Sequence, residues 1–232
     1  MELQEFSPVQ FYWHLGFESD PVPLIVDRRG EAAQRMREHL DLNKLNLEPT
    51  AAELTSERGD EKFRIGLLQI YGQISAFEDA DGAMARIRGF LEFAIEFLKP
   101  TVDTFTFRTL SAAPTSSFEE LRDVMNDRLV GDVDGLRKAL GTSVSDSGWV
   151  LESQSGSTTH RLQFGPMKDD QLRGWLEMTE KAGPPEMLFL LTESRVSDAP
   201  SSSEILEHWA RSRDSHVGLT ERTSQWLNSV VR

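Results

Sequence analysis

From residue 10 to residue 17 the chain alternates. Phe11, Trp13, Leu15 and Phe17 fall on one side, and Gln10, Tyr12, His14 and Gly16 on the other. A period of two is the signature of a strand with one buried face, so the first element is predicted to be a strand. Pro21 and Pro23 then interrupt the pattern. Ala33, Met36 and Leu40 recur at helical spacing and predict a helix over Arg29–Leu40. Glu53–Ala76 is expected to be a hairpin, with Arg58-Gly59-Asp60 at its turn and Phe63, Ile65 and Leu67 leading a long second strand. The clearest helix is expected over Asp79–Leu98. Met84, Ile87, Leu91, Ala94, Ile95 and Leu98 form its stripe, Asp79 or Asp81 caps it, and Pro100 ends it. Thr101–Leu110 returns to strand chemistry.

Residues 9–111 therefore follow the order β-α-β-β-α-β, that of a ferredoxin-like unit. The second half echoes it. Ser117-Phe118-Glu119-Glu120 is a capping box for a helix that turns Leu121, Met125 and Leu129 inward. Trp149–Glu152 and His160–Phe164 are expected to pair as a hairpin with Ser155-Gly156-Ser157 at its tip. A helix over Asp169–Lys181, a break at Gly183-Pro184-Pro185, a buried strand over Met187–Thr192 and a long last helix capped by Ser201–Ser203 complete the order. The expected class is α+β: two duplicated ferredoxin-like halves, residues 1–112 and 113–232, with an antiparallel sheet and a long C-terminal helix. The two halves are expected either as separate domains or as one continuous domain.

Composition narrows this picture. A chain of 232 residues with 38% hydrophobic positions, five Trp and thirteen Phe has the material for a core without staples. It has no cysteine, which removes disulfides, thiolate metal sites and thiol catalysis. The net charge of −13 is spread over both halves, which disfavours binding to a phosphate backbone. Met1–Glu5 carries no basic residue and no long apolar run follows. Stretches such as Met187–Leu191 fall far short of the roughly 20 residues of a membrane span. A cytoplasmic protein with no membrane contact is expected.

Motif chemistry is sparse. No dinucleotide fingerprint, phosphate loop, zinc-protease helix or nucleophile elbow occurs. Asp79-Ala80-Asp81-Gly82 and Asp132-Val133-Asp134-Gly135 resemble calcium loops only in part. With each Gly at the sixth position, Phe77 and Val130 stand where a first carboxylate belongs, and Arg88 and Gly141 stand where the closing Glu belongs. Both read as turns or helix caps. His208 and His216 lie two turns apart on the last helix, roughly 12 Å along its axis, too far for one metal ion without help from Glu204, Glu207 or Asp214. No catalytic residue, cofactor site or metal site is assigned.

The aromatic residues offer more. Tyr12 points away from Phe11 and Trp13, and the last helix carries His208, Trp209, His216 and Trp226 among balanced charges. These five residues are the expected interaction surface, for a protein partner or for self-association.

One resemblance adds context. Pro8-Val9 with a strand ending in Phe17-Glu18 opens the chain, and Leu188-Phe189-Leu190-Leu191-Thr192-Glu193 with a Ser-rich loop comes near its end. A helix bearing His208 and then Leu219-Thr220 follows. Together these resemble a sporadically distributed prokaryotic family of uncharacterised proteins. The resemblance implies no activity and no site residue; its scattered distribution is similar to that of mobile or defence-associated genes. The leading expectation is a non-enzymatic binding or assembly module, a subunit or partner in a bacterial, defence-linked setting. The alternative is an enzyme with a nonstandard, metal-dependent site around His208 and His216.

Overall fold

The computed structural model describes residues 4–17, 21–141, 146–176, 184–197 and 204–231. The expected cap at Ser201–Ser203, Gly183 of the Gly-Pro-Pro break and the end of the expected 169–181 helix lie outside them. The described residues form nine strands: β1 (Ser7–Gly16), β2 (Lys44–Glu48), β3 (Ala51–Thr55), β4 (Glu61–Gly66), β5 (Gln69–Ser75), β6 (Thr104–Pro114), β7 (Trp149–Ser155), β8 (Thr158–Lys168) and β9 (Glu186–Val196). Six helices accompany them: α1 (Leu24–Leu40), α2 (Ala80–Leu98), α3 (Phe118–Leu129), α4 (Val133–Leu140), α5 (Asp169–Leu176) and α6 (Ile205–Val231). All strands join one antiparallel sheet in the order β2-β3-β4-β5-β1-β6-β9-β8-β7.

Class, antiparallel sheet and closing helix are as expected; the strand count is not. The stretch read as one hairpin holds three strands, β3 to β5, and with β2 before it forms a four-stranded meander. The expected second strand breaks at Leu67-Leu68, an apolar turn held by the neighbouring chain: Leu67 N–H donates to Thr50 O, and Phe17 N–H to Leu68 O. Tertiary hydrogen bonds fix this turn, and Gly66 just before it is its one local signal. β2 went unseen because Leu45 and Leu47 alternate with polar residues on a strand that is almost wholly exposed. The expected boundary between residues 112 and 113 falls inside β6, which pairs with β1 on one side and β9 on the other.

Caps form where the sequence asks for them. The Asp79 side chain accepts from Asp81 N–H, Ser117 from Glu120 N–H, and Asp132 from Gly135 N–H. Both calcium-like motifs are thus helix starts, whose free N–H groups need acceptors.

Strand alternation sorts the core into two layers. Trp13, Leu15, Phe63, Ile65, Phe105 and Phe107 meet α1, α2 and the start of α6 on one face. On the same face Leu188, Leu190 and Phe164 meet α3 and the end of α6. The opposite face is covered at one corner only, where α5 sets Leu172 and Leu176 against Leu110, Met187 and Phe189. The rest of that face bears a polar ladder. Arg64 bonds Glu48 at 2.5 Å and 2.7 Å, Tyr71 donates to Glu53 at 2.7 Å, and Arg108 holds Glu193 at 2.6 Å beneath the Tyr12 ring. Burial raises the Tyr71 phenol, with Glu53 adding to it, and burial likewise raises Tyr12. Among the described residues, no helix is long and apolar enough to cross a membrane.

Candidate binding cleft at the sheet seam

β1 and β6 are the middle of the sheet, in the register Phe11↔Thr109 and Trp13↔Phe107. α2 packs over β1 and β5, and α6 over β6 and β9. Between the two helices lies a cleft of about 550 Å³, within the usual range of ligand sites. Its floor is Thr109 and Ser111 of β6 with Pro8 and Phe11 of β1; Met84 and Val217 are its apolar walls. Every charged residue lining it is acidic: Glu5, Asp81 and Glu221. Asn228 also lines it, and its side-chain oxygen is buried without a hydrogen-bond partner. α2 begins at this cleft, but Asp79 caps its positive end and Asp81 sits in its first turn, so the dipole is already answered.

Behind the floor runs a buried polar column. Thr109 Oγ1 meets His216 Nε2 at 3.0 Å, His216 Nδ1 meets Ser194 Oγ at 2.9 Å, and Ser194 Oγ meets His160 Nδ1 at 3.0 Å. Thr192 and Thr220 share a hydrogen bond at 2.6 Å alongside. A serine between two imidazoles invites a nucleophile reading, and the electrostatics oppose it. Burial pushes His216 down to about 3, so at neutral pH it does not take a proton from Ser194. Its partners are hydroxyls, not an orienting carboxylate. His160 is likewise lowered by burial and by the Arg222 charge. Ser194, Thr192 and His216 are almost fully buried, and the column ties α6 to β6 and β9.

The five residues expected to form one interaction surface are not brought together. Tyr12 lies on the open face of the sheet, whereas α6 lies on the other. Trp209 and His216 are 1% and 3% exposed and serve the core. Trp209 and His216 thus belong to the inward side of the last helix. His208 stacks on Phe105 with ring centroids 5.2 Å apart, and its Nε2 is buried without a partner. Trp226 alone is well exposed, edge-on to Phe164. Among the described residues no three His, Asp or Glu side chains gather into a metal-binding group, so Glu204, Glu207 and Asp214 complete no site with His208 or His216.

Sequence reasoning missed Thr109, Ser111, Thr192 and Ser194. Their signal was legible: on β6 the inward series Phe105, Phe107, Thr109, Ser111, Ala113 turns polar midway, as does Leu188, Leu190, Thr192, Ser194 on β9. No model of a known protein family matches the chain, and no curated protein matches it.

Proposed function

We propose that the chain is a non-enzymatic binding module whose seam cleft takes a basic segment of a protein partner, with an apolar residue beside the basic one. The acid-only charge of the cleft carries this reading. Glu5, Asp81 and Glu221 ring an apolar pocket of Phe6, Phe11, Met84 and Val217 with no cation in the lining among the described residues, and the unpaired Asn228 oxygen adds an acceptor. Such a site attracts donors and repels anions, in keeping with the overall charge of −13. Three hydroxyls of the lining are engaged internally: Thr109 with His216, Thr220 with Thr192, and Ser224 with the carbonyl of Thr220.

The cleft also fits an origin by duplication. Each half begins with a strand, continues into helix, and closes a meander beside its own first strand: β5 beside β1, and β9 beside β6. The two first strands then pair with each other, and the cleft lies along that pairing.

Labelled peptides of the composition Arg-Leu-Leu-Arg and Glu-Leu-Leu-Glu, compared by fluorescence anisotropy, test the reading. The basic peptide is expected to bind and the acidic one not. Glu221→Arg, a change on the exposed side of α6, should weaken binding about fivefold, the scale of one exposed charge pair inverted. Equal affinity for both peptides, or indifference to Glu221→Arg, refutes the acid-lined cleft as the site.

A further inference from the structure

The two edges of the sheet differ in a way that bears on assembly. β2, at one edge, is five residues long and reads Lys44-Leu45-Asn46-Leu47-Glu48. Its outer side is unpaired among the described strands. Leu45 and Leu47 lie on the same face as Leu54 and Ala52 yet remain 39% and 48% exposed. They border a groove of about 470 Å³ between β2 and α1, lined also by Gly30 and Ala33. An edge with bare backbone groups and apolar side chains is a template for another strand.

The sequence of this edge is complementary to itself. Two copies placed antiparallel about Asn46 set Lys44 opposite Glu48 of the second copy, twice by symmetry. Leu45 then stands opposite Leu47, also twice, on the α1 side. Opposite charges and apolar pairs in facing positions stabilise an antiparallel ladder, whereas like charges oppose it. Glu48 already bonds Arg64 of β4 and Lys44 Nζ already donates to Glu57 O, so in the dimer each charge is shared with the second copy's. The other edge has no such pattern. Centring β7 on its middle residue sets Glu152 against Glu152.

We propose that β2 is the interface of a two-fold symmetric homodimer, in which β2 pairs with β2 of a second copy about Asn46 and the sheet runs on through both chains. The two grooves beside α1 then meet across the axis and cover Leu45 and Leu47. This is an isologous contact, closed at two copies. It is independent of the seam cleft, which lies at the middle of the sheet, and the variants that test the two do not overlap.

The absence of cysteine makes the test direct. In the proposed register Asn46→Cys brings two thiols together at the axis, where facing Cα atoms of an antiparallel pair stand about 4.5–5.5 Å apart, within disulfide range. Under mild oxidation the full-length Asn46→Cys chain is expected to form a covalent dimer, and a Glu152→Cys chain is not. The unmodified chain should sediment as a dimer at tens of micromolar. Lys44→Glu should weaken dimerisation about tenfold by inverting two facing charge pairs. Circular dichroism shows that each variant keeps the fold, as expected for exposed positions. A monomer at all concentrations overturns the proposal. So does a dimer in which Asn46→Cys fails to cross-link, or one unmoved by Lys44→Glu, because the contact then lies elsewhere.

Discussion

Gly72 marks a tight point in the core. It lies on β5 opposite Trp13 of β1 and Phe63 of β4. A Cβ added there would stand 2.7 Å from Trp13 Nε1 and 3.0 Å from the Phe63 ring. The indole and the phenyl ring close over the strand because no side chain intervenes, and Phe90 of α2 seals them with a ring centroid 4.9 Å from that of Phe63. Gly72→Ala is expected to destabilise the protein by about 1–3 kcal/mol, the usual cost of overpacking, read as a lower urea midpoint with unchanged slope. An unchanged midpoint would mean that the Trp13 ring can move at little cost. Alternation along β1 announced Trp13 as a core residue. It could not announce Gly72, because a glycine that makes room for a ring of a strand remote in sequence looks like any other glycine.

At the scale of elements, α6 unites two apolar clusters through a polar middle. Ile205 and Trp209 belong to one cluster and Leu227 and Val231 to the other. Between them His216 stands in a bed of hydroxyls. Its imidazole is held down to about 3 by burial, with the His160 charge acting in the same direction. The unfolded chain takes up the proton near the ordinary histidine value of about 6.5, whereas the folded one resists until far lower. Below pH 6.5 the unfolded state therefore binds more protons, and stability falls with acidification by up to about 1.4 kcal/mol per pH unit down to the folded value. Above 6.5 the contribution is constant. His216→Gln should flatten the stability profile between pH 6.5 and 5, measured by urea unfolding at fixed ionic strength. A slope identical to that of the parent would assign the acid sensitivity to His160 or to the carboxylates. Helices with full stripes and caps, such as α2 and α3, were legible in sequence because the local signal and the tertiary outcome agree. α6 was legible as a helix but not as a polar joint, since the residues that bond His216 come from β6 and β9.

For the molecule as a whole, β6 is the strand that both halves share. Phe105 and Phe107 pack under α2 and α6, while Ala113 packs under α3. A cut between residues 112 and 113 leaves β9 without most of its partner and strips the N-terminal part of its α6 cover. Fragments 1–112 and 113–232 are expected to be poorly dispersed in nuclear magnetic resonance spectra when separate, and the intact chain to unfold in one transition by both far- and near-ultraviolet circular dichroism. A folded 1–112 fragment would contradict this. The α+β class and the closing helix were visible in the sequence, whereas the expected pair of ferredoxin-like halves is replaced by one nine-stranded sheet. The sharing of β6 was not visible, because pairing partners some eighty residues apart leave no local pattern, as with Leu110↔Leu191.

The same central position governs how the chain comes into being. β1 is made early, yet its two neighbours arrive late: Phe11 faces Ile74 on one side and Thr109 on the other. Throughout that interval of synthesis Phe11, Trp13, Leu15 and Phe17 form an aromatic strand with both edges open, the kind of segment that collects wrong partners. The local meander β2–β5 closes cheaply and gives β1 its first docking edge; the second edge waits on loop closures of high entropy. A nascent chain of this design gains from slow translation through the α2–β6 stretch, or from a holding chaperone that recognises the first aromatic strand.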